Sequence, residues 1–155
     1  MSLEGKKAPA FSLSDQDGEK HSLKDFLGRK VLLFFYPKDM TSGCTVEAQV
    51  FRDMYAEFTL MGVEIIGISK DSVASHKKFC EKEDLPFLLL SDEGLSVVEK
   101  YGVWVEKSMY GKKYMGIQRD SFLIDETGKV ITHYKKVKPA EHGKEVLADI
   151  VALEK

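Results

Sequence analysis

The chain has little of what marks the more specialised classes of protein. Two cysteines in 155 residues are too few for a disulfide-stapled secreted scaffold, and they are not spaced as a C-x-x-C pair. No apolar run approaches the ~20 residues of a membrane helix. The longest runs, VLLFFY at 31–36 and FLLL at 87–90, have strand length. The stretch MSLEGKKAPAF at the N-terminus lacks an apolar signal core, so an unprocessed cytoplasmic protein is the expectation. Neither sign of charge dominates: 23 basic and 25 acidic residues are scattered along the chain and give a formal net charge of −2. That balance speaks against nucleic acid and anionic membranes as partners. Repeats, low-complexity tracts and linker-like Pro/Gly/Ser stretches are absent too. With 43% hydrophobic residues, the expectation is one domain over 1–155 built on one sizeable core.

What is present reads as alternating strands and helices. Ala10 to Leu13 and Glu19 to Ser22 flank the turn Asp15-Gln16-Asp17-Gly18 and predict an N-terminal hairpin. Val31 to Tyr36, stopped by Pro37, predicts a strand buried on both faces. From Cys44 to Met61 the residues Ala48, Phe51, Met54, Tyr55 and Phe58 recur at spacings of three and four, which predicts one helix ending at Gly62. Val63 to Ser69 follows as a second buried strand, so 31–69 forms a strand-helix-strand unit with parallel pairing. Next come a helix over Ser72 to Glu83, a strand over Leu85 to Leu90 and a short helix over Leu95 to Tyr101. Asp120 to Ile124 and Val130 to Tyr134 enclose the turn 125–128 as a hairpin, and Glu141 to Leu153 closes the chain as an amphipathic helix. The fold class is therefore α/β, with a central mixed sheet flanked by helices.

The chemistry concentrates where the first buried strand runs into a helix, at Tyr36-Pro37-Lys38-Asp39-Met40-Thr41-Ser42-Gly43-Cys44. Strand ends are where α/β folds place their sites. Unpaired N–H groups and the dipole at a helix start favour a thiolate, the nucleophilic form of cysteine. Thr41 or Ser42 is expected to cap the helix with its hydroxyl toward the sulfur, and Gly43 to let the backbone approach a ligand. The competing reading is a small buried hydrophobe, but a first-turn cysteine behind a polar Thr-Ser-Gly segment is not placed like core filler. Helix-start logic alone does not separate a peroxidase from a disulfide reductase, although the missing C-x-x-C disfavours the latter.

Pro37-x-x-x-Thr41-x-x-Cys44 resembles the peroxiredoxin signature P-x-x-x-T/S-x-x-C, and the wider stretch FYPKDMTSGCTVEAQVFRD is similar to the Q-type, or bacterioferritin-comigratory, branch of that family. G-x-x-A-P-x-F at 5–11 and Gly116 to Asp125, similar to G-x-x-R-x-T-F-L-I-D, extend the resemblance over nearly the whole chain. It implies a thioredoxin-like fold and a thiol peroxidase acting on hydrogen peroxide and organic hydroperoxides without metal, haem or flavin. Cys44 would be the peroxidatic cysteine, and Thr41 would donate a hydrogen bond to the peroxide. Arg119 would hold the thiolate and polarise the peroxide, against the plainer reading of a surface salt bridge; Pro37 would shield the sulfur from solvent. These roles suit the chemistry, since a neighbouring cation favours a thiolate and directed donors stabilise charge as the O–O bond breaks.

Three positions depart from the branch. Ser42 stands where proline is common and Ser121 where threonine is usual. Gln49 occupies the place, five residues beyond the peroxidatic cysteine, where many members carry the resolving cysteine. By the pattern of other members, Cys80 on the following helix is the resolving partner; the plainer reading, with Phe79 beside it on an apolar face, is core. A disulfide needs Cα atoms within ~7 Å, so pairing requires local unwinding of one or both helices. The oxidised pair would be reduced by thioredoxin or glutaredoxin, and the lack of a C-terminal extension bearing another cysteine points to resolution within a monomer. Two alternatives stay open: a one-cysteine peroxidase resolved by an external thiol, and a redox-sensing interaction protein. His21, His76, His133 and His142 show no metal-type spacing and are expected to be exposed polar residues. Glu47, one turn after Cys44, is either a pocket-ordering acid or a plain helix-surface residue.

Overall fold

A computed structural model describes residues 3–154, so the two residues before and the one after, within the expected 1–155 domain, lie outside it. Two short strands, β1 (Ser12–Ser14) and β2 (Lys20–Ser22), lead through a 3-10 turn at Leu23–Phe26 into β3 (Lys30–Phe35). Helices α1 (Ser42–Asp53) and α2 (Tyr55–Leu60) come next, then β4 (Val63–Ser69), α3 (Val73–Glu83), β5 (Leu88–Ser91) and α4 (Ser96–Lys100). The chain ends with the hairpin β6 (Trp104–Met109) and β7 (Lys112–Ile117), then β8 (Ser121–Ile124), β9 (Val130–Tyr134) and α5 (His142–Leu153). Seven strands form one sheet in the order β2-β1-β5-β4-β3-β8-β9. β3, β4 and β5 are parallel, while β8, β9 and the β1–β2 hairpin run antiparallel to their neighbours, which is the mixed, thioredoxin-like sheet expected.

The unbroken apolar run of β3 has a direct cause. Successive strand residues point to opposite faces, and both faces are covered. Val31, Leu33 and Phe35 pack with α4 and the N-terminal segment, while Leu32, Phe34 and Tyr36 pack under α1, α2, α3 and α5. Cys44 and Cys80 both belong to the second layer, so the fold sets the two thiols over one face of the sheet. Gly67 of β4 makes room for that layer: a Cβ there would sit 2.7 Å from both Phe34 Cζ and Leu89 Cδ2.

Several boundaries differ from expectation. The helix expected over 44–61 is broken at Met54, where the backbone of Gly143 in α5 seats against Val50 and Met54. The apolar spacing continues across the break, so the period does not mark it. The third central strand begins at Leu88, because Asp84 adopts a left-handed cap (φ 52) and the Leu85 N–H still closes α3 on the Cys80 carbonyl. The β6–β7 hairpin escapes sequence reading because its side chains are largely exposed and it turns on Tyr110-Gly111, both at positive φ. Two histidines expected on the surface, His76 and His142, are buried. Each has polar partners for both ring nitrogens, which is what makes burial tolerable. Among the described residues no helix is long and apolar enough to cross a membrane.

Candidate active site

The loop between β3 and α1 is pinned from beneath by Asp39, a buried carboxylate. Tyr36 donates its hydroxyl to Asp39 Oδ1 at 2.6 Å, and Ser75 donates to Oδ2 at 2.8 Å. His76 Nδ1 lies 2.7 Å from the same Oδ2, and the Asp39 N–H donates to Asp71 Oδ2 at 2.9 Å. His76 Nε2 donates to the Leu90 carbonyl at 3.0 Å. One buried polar cluster thus ties the peptide leading to Cys44 to the first turn of α3, the helix that carries Cys80. Asp39, Asp71 and His76 have the composition of a cation site, with ligand-type atoms within 4.8 Å of one another. Each of those atoms already has a protein hydrogen-bond partner, so the cluster is complete as a network. Sequence reading missed it: these residues are polar, lie in separate segments and follow no period. Tyr36 is fully buried in it.

Above that anchor the loop turns through Met40 at φ 61, an uncommon conformation for a residue with a side chain. Thr41 takes the N-cap position of α1 with extended backbone, yet makes no side-chain cap bond. Its hydroxyl donates instead to the Lys38 carbonyl at 2.8 Å. The expected cap is therefore absent, and so is a free Thr41 hydroxyl hydrogen: what its oxygen still offers is lone pairs.

Cys44 lies in the first turn of α1 and is 1% exposed. Arg119, from the turn between β7 and β8, donates through Nη1 to Cys44 Sγ at 3.4 Å and to Glu47 Oε1 at 2.9 Å. Burial works against the guanidinium's charge, but the Cys44 and Glu47 charges more than offset this and hold its pKa above the ordinary arginine range. Gly43 leaves room for the approach, since a Cβ there would lie a tight 3.1 Å from Arg119 Nη2. Pro37 is half-buried beside this loop. Glu47 is no surface acid: it is 1% exposed, and burial raises its carboxyl to about 7 against the pull of Arg119. Its Oε2 is buried without a partner. Burial thus weakens Glu47 as a competing anion, so it draws less of the guanidinium's charge away from the sulfur. Arg119 also borders an open cavity of about 470 Å³ lined by Val105, Lys107, Tyr114 and Val137.

Cys80 is free, buried and, like Cys44, not in a disulfide. Burial, followed by the charges of Asp39, Asp17, Asp15 and Glu81, pushes its thiol up to about 12. Gln49 binds α1 to the far end of α3, its side-chain amide donating to Glu83 Oε1 at 2.8 Å. Arg52 adds a 2.8 Å bond to the Glu83 carbonyl. α3 is thus tied at its start to the loop before α1 and at its end to α1 itself.

Residues 4–133 match the AhpC/TSA family. The chain is 47% identical to peroxiredoxin Bcp of Bacillus subtilis, over 95% of this chain and 94% of that one. Among solved structures, a PrxQ mutant of Xylella fastidiosa matches with a TM-score of 0.95 at 30% identity, covering 100% of this chain and 99% of the other. The bacterioferritin comigratory protein of Xanthomonas campestris, studied for its alkyl peroxide reduction activity, matches with a TM-score of 0.89 at 39% identity over 94% and 92% of the two chains.

Proposed function

This chain belongs to the AhpC/TSA family and is a thiol peroxidase of the Bcp/PrxQ peroxiredoxin kind, and on that premise we propose that Cys44 attacks the peroxide and Cys80 resolves the product. The observation that carries the first assignment is the Arg119 guanidinium bonded at once to Cys44 Sγ and to the buried Glu47. A thiolate at Cys44 displaces along the O–O bond, forming S–O and breaking O–O. Sulfur is oxidised to sulfenic acid, and the distal oxygen leaves, with a proton, as water or alcohol. Arg119 stabilises the charge shared between sulfur and the breaking bond. Thr41 accepts the peroxide O–H, reversing the direction implied by the family resemblance, because its own hydrogen is held by the Lys38 carbonyl. Gly43 leaves space for the guanidinium and Pro37 screens the loop side of the sulfur. Hydrogen peroxide and organic hydroperoxides are the substrates, the latter supported by the alkyl peroxide activity of the Xanthomonas campestris relative.

Resolution needs the Cys80 thiolate to attack the sulfenic sulfur, forming S–S and breaking S–O, with the hydroxide leaving as water once it takes up the proton that the Cys80 thiol gave off. A thiol held up to about 12 supplies very little thiolate at neutral pH. Local opening of α3, α1 or both therefore does two things in this scheme: it closes the distance and it hydrates Cys80 enough to ionise. A dithiol protein of the thioredoxin or glutaredoxin type then restores both cysteines by exchange, in a reducing compartment such as the cytoplasm, with one chain as the working unit. The test is peptide mapping of protein treated with one equivalent of peroxide and then blocked. A Cys44–Cys80 linked peptide is the expected product, and a mixed disulfide or persistent sulfenic acid without that link would leave Cys80 structural.

A further inference from the structure

Arg119 is followed by Asp120, at the place the family motif leaves unspecified, and Asp120 is 1% exposed. Its Oδ1 accepts from the Gln118 side-chain amide at 2.9 Å and from the Lys136 backbone N–H at 3.0 Å. Its Oδ2 accepts from His133 Nε2 at 2.8 Å. The His133 ring is itself fixed, stacked on Phe122 with centroids 4.2 Å apart. The main chain is held as closely. Phe35 N–H donates to the Asp120 carbonyl at 2.8 Å, Val137 N–H to the Arg119 carbonyl at 2.9 Å, and Gln118 N–H to the Val103 carbonyl at 2.8 Å. The turn 118–120 is therefore fastened to β3, to β9 and to the segment after β9. Only the Arg119 side chain is left to reach out, and it reaches Cys44.

A buried carboxylate is a costly way to close a turn, because its desolvation must be matched by several donors. Ser or Asn would serve a turn alone. Three donors converging on the residue next to Arg119 indicate a demand on position. We propose that Asp120 is a positioning residue for the peroxidase reaction, a brace that fixes the base of the Arg119 side chain so that its guanidinium meets the sulfur. The proposal rests on the reading of Arg119 given above. A displacement of ~1 Å at a reacting group is enough to cost about 100-fold in rate, and Arg119 is a long lever that magnifies any tilt at its base.

The test is a double-mutant cycle on the full chain, reading the second-order rate constant for oxidation by hydrogen peroxide in Asp120→Ala, Arg119→Met and the double variant. A brace predicts that Asp120→Ala loses about 100-fold in the wild-type background and less than about threefold once Arg119 is gone, because neighbouring sites acting through one group are not additive. The Michaelis constant for the reducing dithiol protein stays unchanged. Losses that multiply, or an Asp120→Ala variant as fast as wild type, would overturn the brace while leaving Arg119 in place. A wild-type rate in Arg119→Met would instead overturn the role of Arg119, and the brace with it. Should Asp120→Ala fail to fold, Asp120→Asn carries the same cycle. Its oxygen keeps the Gln118 and Lys136 bonds, but its N–H forces the His133 proton onto Nδ1, which is buried and without a partner. A loss of about tenfold is expected there, and a wild-type rate overturns the proposal.

Discussion

Glu47 makes a quantitative prediction about stability and pH. Its carboxyl is raised by burial from 4.5 to about 7 in the folded protein. Between those values the folded state binds a proton that the unfolded state has lost, so this contribution to stability is fully present at low pH and disappears as pH rises through 7. At ~1.4 kcal/mol per decade the gap corresponds to about 3 kcal/mol, most of which falls between pH 5 and pH 8. For a chain of this size that is on the order of 5–10 °C in Tm. Glu47→Gln keeps the oxygen that accepts from Arg119 and removes the titration. Urea unfolding of the reduced protein at several pH values, taken as wild type minus Glu47→Gln, cancels every other titrating group. The difference should fall by about 2–3 kcal/mol from pH 5 to pH 8. A difference flat across that range would refute the reasoning, because it would mean that Arg119 keeps Glu47 ionised throughout.

Gly43→Ala is expected to slow peroxide oxidation about tenfold, since its Cβ would press on Arg119 Nη2 from 3.1 Å. The same change should leave stability unchanged or raised by up to ~1 kcal/mol, because alanine favours the helix; stopped-flow kinetics and urea titration read the two effects. Gly67→Ala has the opposite signature. A Cβ 2.7 Å from Phe34 and Leu89 in a packed layer should cost about 1–3 kcal/mol in urea unfolding while the folded fraction reacts normally. Gln49→Ala releases the clasp to Glu83, so loss of sulfenic acid to disulfide, followed by quenched-flow trapping, should accelerate several-fold with the first peroxide step unchanged. A slower or unaltered resolution step would show that the clasp does not limit opening of the helices.

Much of this architecture is legible in the sequence where burial writes a simple pattern. β3 and β4 are covered on both faces, β3 appearing as an unbroken apolar run and β4 as one interrupted by Glu64 and Gly67, and α3 and α5 show their buried stripes. Cys44 and Arg119 are legible as a pair only through the motif, since nothing in their spacing alone would bring the turn after β7 onto the start of α1. The features that escape share a physical cause. Asp39, Asp71 and His76 are polar residues made compatible with burial by partners far along the chain, and no local pattern announces such a partner. Glu47 looks like any acid on a helix until α1 is laid on the sheet and Arg119 arrives beside it. The Thr41 hydroxyl chooses a loop carbonyl over the helix because of the turn at Met40, a conformation that residue type does not suggest.

The division of labour between the two cysteines is tested most directly by stopped-flow oxidation with hydrogen peroxide of the wild type, Cys44→Ser and Cys80→Ser, each fully reduced. The account predicts no fast reaction in Cys44→Ser. Cys80→Ser should consume one equivalent at the wild-type rate and then stall as a sulfenic acid that over-oxidises with further peroxide. Fast peroxide consumption surviving in Cys44→Ser and lost in Cys80→Ser would contradict it, because the nucleophile would then be the thiol that burial and nearby carboxylates hold protonated, not the one bonded to Arg119.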